Sequence, residues 1–318
     1  MVGKITPDDK CTCSNLFYIM GGVSKWSTPN KVLDQCIRAK NGENVRTAQN
    51  SVQEVGDALE STVAELTAKR LGLTNLDTQI TIPVKHKDLP LWGSLDATAY
   101  ADSLTIEPDT DADIYTETGK PMFLQGKGVI EIKCTADWPS EDGVPQAFRG
   151  LVQAKGQMAC SPDTNWAVIA TLYRSTLLQI YVMHRDDEFE EKLATKVLDF
   201  DHRIQTENYF PAFSQEDTAM LYPTPEPGLS VDLTSDDCGY HLDRIYDNQI
   251  EIKKLSDEIN ESQTYIQDVM GQAERGGNDR FAVTWGSITY KPKPEKIVPA
   301  SDGYTIRRKS VTVKKLDL

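Results

Sequence analysis

The sequence predicts a mixed α/β (α+β) fold in which a central sheet is flanked by helices, and three observations support this. Apolar residues recur at spacings of three and four between residues 51 and 73, which indicates an amphipathic helix. Short runs rich in β-branched residues at 78–84, 91–100 and 128–134 indicate strands. Helical and strand-like segments alternate up to about residue 210, which is typical of one sheet-based domain.

The other elements of this region follow from local signals. A capping Ser or Thr directly before Pro29 predicts the first helix, in "WSTPNKVLDQCIRA". The acidic and turn-rich residues 102–125 predict a loop or a hairpin insertion. A helix at about 144–160, the strands "NWAVIATLY" and "LLQIYVM", and a charged helix at about 186–208 complete the predicted domain.

Composition divides the chain into a core at 1–215, a proline-rich connector at 216–239, and a long polar helix with a basic β-hairpin tail at 240–318. Isoleucines recur every seven residues in the helix, from Ile245 to Ile266. The positions three residues after them would form the second apolar seam of a coiled coil, and only every second one of these positions is apolar. This favours packing on its own domain or on a neighbouring subunit over a free coiled coil. From residue 280 on, nine Lys and Arg residues face three Asp and Glu residues. The tail is therefore either a solvated hairpin or a surface that contacts phosphate or another subunit.

The formal net charge of −14 at pH 7 argues against a broadly basic nucleic-acid surface, although a local basic groove can lie on an acidic body. The six cysteines are scattered and match no zinc-site spacing, so we interpret them as reduced thiols of a cytoplasmic protein. No apolar run is long enough for a bilayer and no signal peptide is evident, so we expect no membrane partner.

A group of charged residues is centred on the strand "GVIEIKCT". Glu131 and Lys133 lie two residues apart, so both point to one face of the strand. Asp96 follows a glycine in the preceding strand-like run. An Asp and a Glu from neighbouring strands can hold Mg²⁺, with the Ile132 carbonyl as a further ligand. A lysine beside them can orient a metal-bound water, help to deprotonate it, or stabilise an anionic transition state. The alternative is an exposed ion pair beside an unrelated aspartate.

Two helices add polar side chains to this group. Glu60 lies on the flank of the apolar stripe of the second helix, where a carboxylate facing protein needs a metal or a donor. The alternative is a helical Glu favoured by the helix dipole. Gln146, Gln153 and Gln157 share one face of the third predicted helix, where amides can orient a water or a phosphate. The alternative is a polar surface face.

Four short motifs occur in a fixed order along the chain. They are Gly56-x-x-x-Glu60, Gly93-x-x-Asp96, Glu131-x-Lys133 and Gln153-x-x-x-Gln157. In this order, over roughly residues 15–210, the chain resembles the PD-(D/E)XK nuclease superfamily. The resemblance is to its RecB-like branch, which includes the YqaJ viral recombinases and the lambda-type phage exonucleases.

The resemblance implies a restriction-endonuclease-like core and a metal-dependent DNA exonuclease that uses Mg²⁺, with Mn²⁺ as a substitute. The expected substrate is the end of linear double-stranded DNA, degraded 5′→3′ to leave 3′ single-stranded tails for phage-type homologous recombination. The expected partners are a single-strand annealing recombinase and further copies of the chain in a ring, such as a trimer. The expected location is the host cytoplasm if the chain is phage-encoded. The alternatives are a structure-specific or restriction-like endonuclease and a non-catalytic DNA-binding protein.

The resemblance also implies roles for individual residues. Asp96 and Glu131 are expected to be metal ligands, joined by the Ile132 carbonyl and by Glu60, directly or through water. Lys133 is expected to orient the attacking water, and Gln153 to support the site.

The 5′-phosphate is expected to bind near the start of the first helix. Lambda-type exonucleases use an Arg and a Ser in this region, whereas this chain offers Lys25, Ser27 and Thr28 and no Arg before Arg38. Free amides at a helix N-terminus can bind phosphate, and Gln157 is a further candidate for substrate binding. The alternative for Ser27 and Thr28 is a plain helix cap.

Overall fold

The computed structural model describes residues 5–48 and 50–287, and its largest feature is a six-stranded mixed sheet. In chain order the strands are β1 (Cys11–Thr12), β2 (Thr74–Asp77), β3 (Val84–Lys85), β4 (Leu91–Gly93), β5 (Ala97–Ile106), β6 (Ile114–Thr116), β7 (Met122–Thr135), β8 (Thr164–Tyr173), β9 (Leu177–His184), β10 (Arg275–Gly277) and β11 (Ala282–Thr284). The large sheet has the order β2-β5-β7-β8-β9-β6, and β1, β4 and β3 form a small second sheet.

Strand β7 is the long central strand of the large sheet. It pairs antiparallel with β5, from Ile106↔Met122 to Ala97↔Ile130, and parallel with β8, where Glu131 lies opposite Ile169. The ladder with β5 therefore stops one residue before Glu131, while the ladder with β8 continues to Thr135. This leaves one side of β7 open at its C-terminal end.

The described α-helices are α1 (Leu16–Ile19), α2 (Pro29–Lys40), α3 (Ser51–Leu71), α4 (Val152–Cys160), α5 (Asp187–Thr206), α6 (Gln215–Leu221) and α7 (Asp236–Met270). Four of these described helices, α2, α3, α5 and α7, begin directly after a residue whose side chain caps the first turn. Helix α3 starts with a capping box in which Asn50 and Gln53 exchange hydrogen bonds. It ends at Gly72, whose φ of +71° is a left-handed conformation that glycine adopts without strain.

Helices cover both faces of the large sheet. On one face, Val63, Ala64 and Ala68 of α3 pack on Ile130 and other buried strand residues. On the opposite face, α4 packs through Ala154 and Met158. A separate apolar cluster joins α2 and α5 to β1 and β4. Burial of each of the larger of these side chains, such as Val63 and Ile130, contributes about 1.5–3 kcal/mol to the stability of the fold. The prediction of a mixed sheet flanked by helices is confirmed.

Several element boundaries differ from the prediction. The run 91–100 is two strands, β4 and β5, and Asp96 lies between them. Only part of 78–84 is a strand. The predicted insertion 102–125 lies partly inside the sheet, because β5 extends to Ile106 and β7 begins at Met122.

The buried stripe of α3 is also shorter than predicted. Val63 is buried, but Val52 is 76% exposed, and Val55 and Leu66 are exposed as well. The spacing indicated the correct helix, but the buried residues of α3 lie only in its second half, and Leu66 is outside the face that they form. These buried residues are Val63, Ala64, Thr67, Ala68 and Leu71.

The chain divides into two units, 1–221 and 222–318. In the second unit, α7 begins at Asp236, four residues before the predicted long helix, and its isoleucines at 252, 259 and 266 are exposed. Strands β10 and β11 form a small antiparallel hairpin. Most of the predicted basic tail, from residue 288, lies outside the described residues. Among the described helices, none combines the length and the apolar character that crossing a membrane requires.

Candidate active site

The C-terminal end of β7 carries the Glu131–Lys133 motif on one face of the sheet. Ile130 and Ile132 point to the other face, into the cluster that α3 covers, as the alternation of a strand requires. Glu131 is fully buried (0% exposed), and the Lys133 side chain is 29% exposed. The pair is therefore not a surface ion pair, which was the alternative interpretation of this motif.

Asp96 lies just before β5 begins at Ala97 and adds one further hydrogen bond between this part of the chain and β7. Its Oδ2 atom accepts the backbone N–H of Ile132 at 2.8 Å, two residues beyond the final β5 pairing at Ile130. The N–H and C=O of a strand residue point to the same neighbour, so the Ile132 carbonyl also points to the side of Asp96. Asp96 was predicted to lie within a strand. It lies instead just before one, where its side chain replaces a strand backbone as the acceptor.

Glu131 and Lys133 are held by amides on α4. Lys133 Nζ donates to Glu131 Oε1 and, at 3.2 Å, to Gln153 Oε1. Gln157 Nε2 donates to Glu131 Oε2 at 2.6 Å and to the Ser94 carbonyl at 2.8 Å. The structure thus brings Gln153 to the lysine, as the supporting role requires. It contradicts a substrate contact for Gln157, because this side chain is fully buried and positions Glu131 instead.

A glycine with a left-handed backbone conformation lies next to the Glu131 and Lys133 side chains. Gly150 has φ +100°, and a Cβ there would lie 3.4 Å from Glu131 Cγ and 3.6 Å from Lys133 Cε. The predicted continuous helix over 144–160 is therefore wrong. A π-helical turn at Ala147–Leu151 with non-helical Arg149 and Gly150 precedes α4. A glycine inside a helical pattern is the signal that could have indicated this break.

A cavity of about 430 Å³ opens beside Asp96, and other carboxylates line it. Its lining includes Asp57 and Glu60 of α3 together with Ser94 and Asp96. Burial, reinforced by the charges of Asp96 and Asp57, raises the pKa of Glu60 to about 7. Burial and the Glu131 charge raise the pKa of Asp96 to about 7. The pKa values of Glu60 and Asp96 are therefore both raised by burial together with the negative charge of neighbouring carboxylates.

Lys133 supplies the compensating positive charge. Burial by itself lowers the pKa of Lys133, but the charges of Glu131 and Asp96 outweigh burial and raise it above its ordinary value. The side chain is consequently an ammonium at neutral pH. In this state it can stabilise negative charge, but it cannot accept a proton.

The donor set of this site fits a hard divalent cation. Within 5–48 and 50–287, no three His, Cys, Asp or Glu side chains form a complete metal cage. Mg²⁺ does not need one, because it binds through one or two carboxylates and keeps several waters. Asp96 and Glu60 line one cavity with oxygen donors, and their raised pKa values show that negative charge there lacks full compensation. These residues fit Mg²⁺, and Mn²⁺ accepts the same donors.

The solved structures to which this chain is similar include the following exonucleases. LHK-Exo in complex with dAMP is 17% identical with a TM-score of 0.46, over 64% of this chain and 91% of that chain. The alkaline exonuclease LHK-Exo from Laribacter hongkongensis is 17% identical with a TM-score of 0.45, over 63% and 90%. A phage-related exonuclease from Haemophilus somnus 129PT is 15% identical with a TM-score of 0.41, over 63% and 96%.

At these identities the similarity concerns the fold alone, and the chemistry of the site follows from this chain's own residues. No family model matches the sequence, and no curated protein matches it.

The structure contradicts the predicted phosphate-binding role of Thr28. Thr28 is buried, donates to Asp217 Oδ1 at 2.6 Å and accepts the Lys31 N–H at 3.1 Å. The fully buried Asp217 also accepts the N–H of Phe213 at 2.9 Å. A carboxylate therefore already occupies the N-terminus of α2 and repels a phosphate, so Thr28 is a structural cap.

Lys25 and Ser27 lie in the loop that precedes α2. The Ser24 hydroxyl organises this loop by accepting the N–H of Trp26 at 3.1 Å and of Ser27 at 3.3 Å. Lys25 is exposed and lies 4.9 Å from the centroid of the Trp26 ring. In the described part of the chain, no hydrogen bond or ion pair joins Lys25 or Ser27 to Lys133. Their role in binding a 5′-phosphate stays a prediction.

Proposed function

We propose that this chain is a metal-dependent DNA exonuclease that hydrolyses linear duplex DNA in the 5′→3′ direction and leaves 3′ single-stranded tails for homologous recombination. The observation that carries the proposal is the packed network of Asp96, Glu131, Lys133 and Gln153 at the open end of β7. It presents the Asp96 carboxylate, whose pKa is raised to about 7, and the Lys133 ammonium beside a cavity that reaches solvent. A carboxylate can hold a divalent cation, and an ammonium can stabilise the negative charge that develops on a phosphate during hydrolysis.

Each residue has a defined task in this proposal. A Mg²⁺ ion held by Asp96, Glu131 and the Ile132 carbonyl, with Glu60 acting directly or through water, would polarise the phosphate and make a bound water more acidic. Lys133 places its positive charge where negative charge develops on the phosphate oxygens. Gln153 limits the rotamers of Lys133, so the ammonium is oriented before the substrate arrives.

We expect the chain to shorten linear duplex DNA from its 5′ ends in the presence of Mg²⁺ and to leave closed circular DNA intact. The assay uses duplexes labelled at the 5′ or at the 3′ end, beside a closed circle. Early release of the 5′ label with retention of the 3′ label supports the proposed direction. Cutting of the circle indicates an endonuclease, and no hydrolysis with either Mg²⁺ or Mn²⁺ indicates a non-catalytic DNA-binding protein.

Activity is expected to rise between about pH 6 and pH 8. Burial raises the pKa of Asp96 and of Glu60 to about 7, so protons compete with the metal below that pH. More Mg²⁺ should therefore shift the midpoint of the rise to lower pH. The measurement is initial rate against pH at limiting and at saturating Mg²⁺. A maximum below about pH 6 would contradict the proposed ligands.

Assembly into a ring, with a trimer as the expected state, is part of the same proposal. With a net charge of −14, the chain needs a local basic surface to hold phosphates. A ring can provide one in its lumen while its outer surface stays acidic. The strand-annealing recombinase remains the proposed partner, since 3′ tails are the substrate that such a protein needs.

A further inference from the structure

A second groove lies along α3, beside the candidate active site. We call it the apolar groove. It has a volume of about 530 Å³, and its lining includes Val52, Val55, Leu59, Leu172 and Arg174. Arg174 is the only charged side chain among the described residues that line it. The groove therefore differs from the acidic cavity beside Asp96, and it suits an apolar ligand that carries negative charge.

The apolar groove and the candidate active site share two elements. Helix α3 contributes Leu59 to the groove and the adjacent Glu60 to the acidic cavity. Strand β7 contributes Cys134 to the groove, directly after Lys133.

An exposed aromatic–arginine pair lies at the end of the groove. The guanidinium carbon of Arg174 is 4.1 Å from the centroid of the Trp138 ring, and Trp138 is 73% exposed. The backbone N–H of Arg174 also donates to the Thr135 carbonyl at 2.7 Å. This contact fixes the turn between β8 and β9 to the end of β7. The exposed indole of Trp138 offers a flat apolar surface beside the Arg174 guanidinium.

The turn that presents Arg174 is strained. Arg174 and Ser175 have φ values of +51° and +62°, the left-handed region that two-residue hairpin turns usually fill with Asn-Gly or Asp-Gly. Left-handed non-glycine residues cost about 1–3 kcal/mol each and cluster at functional sites. Glycine would relieve this strain and lose the side chain.

We propose that Trp138 and Arg174 bind the bases of single-stranded DNA beside the active site, with the apolar groove as the floor of the binding surface. This rests on the proposed nuclease function. Bases in a duplex hide their faces by stacking, whereas an unpaired strand exposes them, and an aromatic ring with an adjacent arginine matches an exposed base. The surface thus selects the unpaired product strand over intact duplex.

The test measures binding without hydrolysis. Fluorescence anisotropy in EDTA compares an oligothymidylate about 12 nucleotides long with an abasic oligonucleotide of equal length. Trp138→Ala should weaken oligothymidylate binding by about 5- to 100-fold, and Trp138→Phe should retain most of it. Arg174→Gly should also weaken binding, and its relieved turn preserves folding. Phe123→Ala is the matched control, because Phe123 is an exposed aromatic residue at the opposite end of β7.

Two results would overturn this inference. One is equal affinity of the wild-type chain for the oligothymidylate and the abasic oligonucleotide. The other is unchanged oligothymidylate affinity in both Trp138→Ala and Arg174→Gly. Because the assay contains no metal, it is independent of the proposed hydrolysis. A chain that fails to cut duplex with Mg²⁺ but shows the Trp138-dependent binding loses the nuclease proposal and keeps this surface.

Discussion

Asp96→Asn is expected to abolish Mg²⁺-dependent DNA hydrolysis and, in the same protein, to increase the stability of the metal-free chain at pH 8. Loss of a proposed metal ligand should lower the rate by at least about 10³-fold. The amide keeps an oxygen that can accept the Ile132 N–H, so the ladder is preserved. It removes a charge that burial and Glu131 both disfavour. The site would then be an example of stability given up for function.

The pH dependence of this gain has a defined sign. The folded-state pKa of Asp96, about 7, lies above its ordinary value of 3.8, so the folded chain binds this proton more tightly than the unfolded chain. Wild-type stability therefore falls as pH rises from about 4 to about 7, and it stays low above that. Asparagine has no proton to lose. The advantage of the variant should be small at pH 5 and reach the order of 2–4 kcal/mol at pH 8.

The measurement is urea unfolding of both proteins in EDTA at pH 5 and at pH 8, beside the hydrolysis assay. Asp102→Asn is the matched control, because Asp102 is an exposed residue on β5. Its effect should be within about 0.5 kcal/mol at both pH values. If the Asp96→Asn protein is destabilised equally at both pH values, then ionised Asp96 does not lower the stability of the wild-type fold.

Lys133→Met is expected to be strongly destabilising, and the double variant Glu131→Gln/Lys133→Met should recover most of the loss. Glu131 is fully buried and its Oε1 accepts from Lys133, so removal of the lysine leaves an unpaired buried carboxylate. Breaking a buried ion pair costs about 3–5 kcal/mol, whereas replacing both partners is often nearly neutral. Both proteins should be inactive, because each lacks the proposed ammonium.

A double-mutant cycle in urea measures this coupling. Lys127→Met is the control on the same strand, since Lys127 pairs with the exposed Asp163 at 2.9 Å, and such surface pairs contribute about 0–1 kcal/mol. Additive losses from the Glu131 and Lys133 changes would refute the buried pair. In that case Lys133 would interact with solvent instead.

Much of the site could be predicted because it depends on short-range rules. Strand alternation places Glu131 and Lys133 on one face, and the order of motifs along a sheet domain brings Asp96 next to them. Gln153 follows from helical spacing after β7. These contacts need the predicted strands and helix to form, and they need β5 to pair with β7 although β6 lies between them in the sequence.

The failures involve contacts that no local pattern encodes. The Thr28 hydroxyl donates a hydrogen bond to Asp217, which lies 189 residues further along the chain. Gln157 lies on the predicted amide face, but spacing on a helix cannot show which of its members is covered by the sheet. The exposure of Val52 depends on where the strands beneath α3 end. The break at Gly150 is different, because a glycine inside a helical pattern is a local signal that could have indicated it.

The pairing of β5 with β7 also bears on how relatives of this chain can be detected. The ladder holds Asp96 beside Ile132 whatever the chain does between the two strands. Residues 107–121 leave the ladder, add β6 to the far edge of the sheet next to β9, and return. Deletions or expansions in this excursion change the number of residues between the two acidic motifs without moving either carboxylate. A sequence pattern with a fixed Asp-to-Glu interval would overlook homologues that differ only there, whereas one that leaves the interval free would retain them.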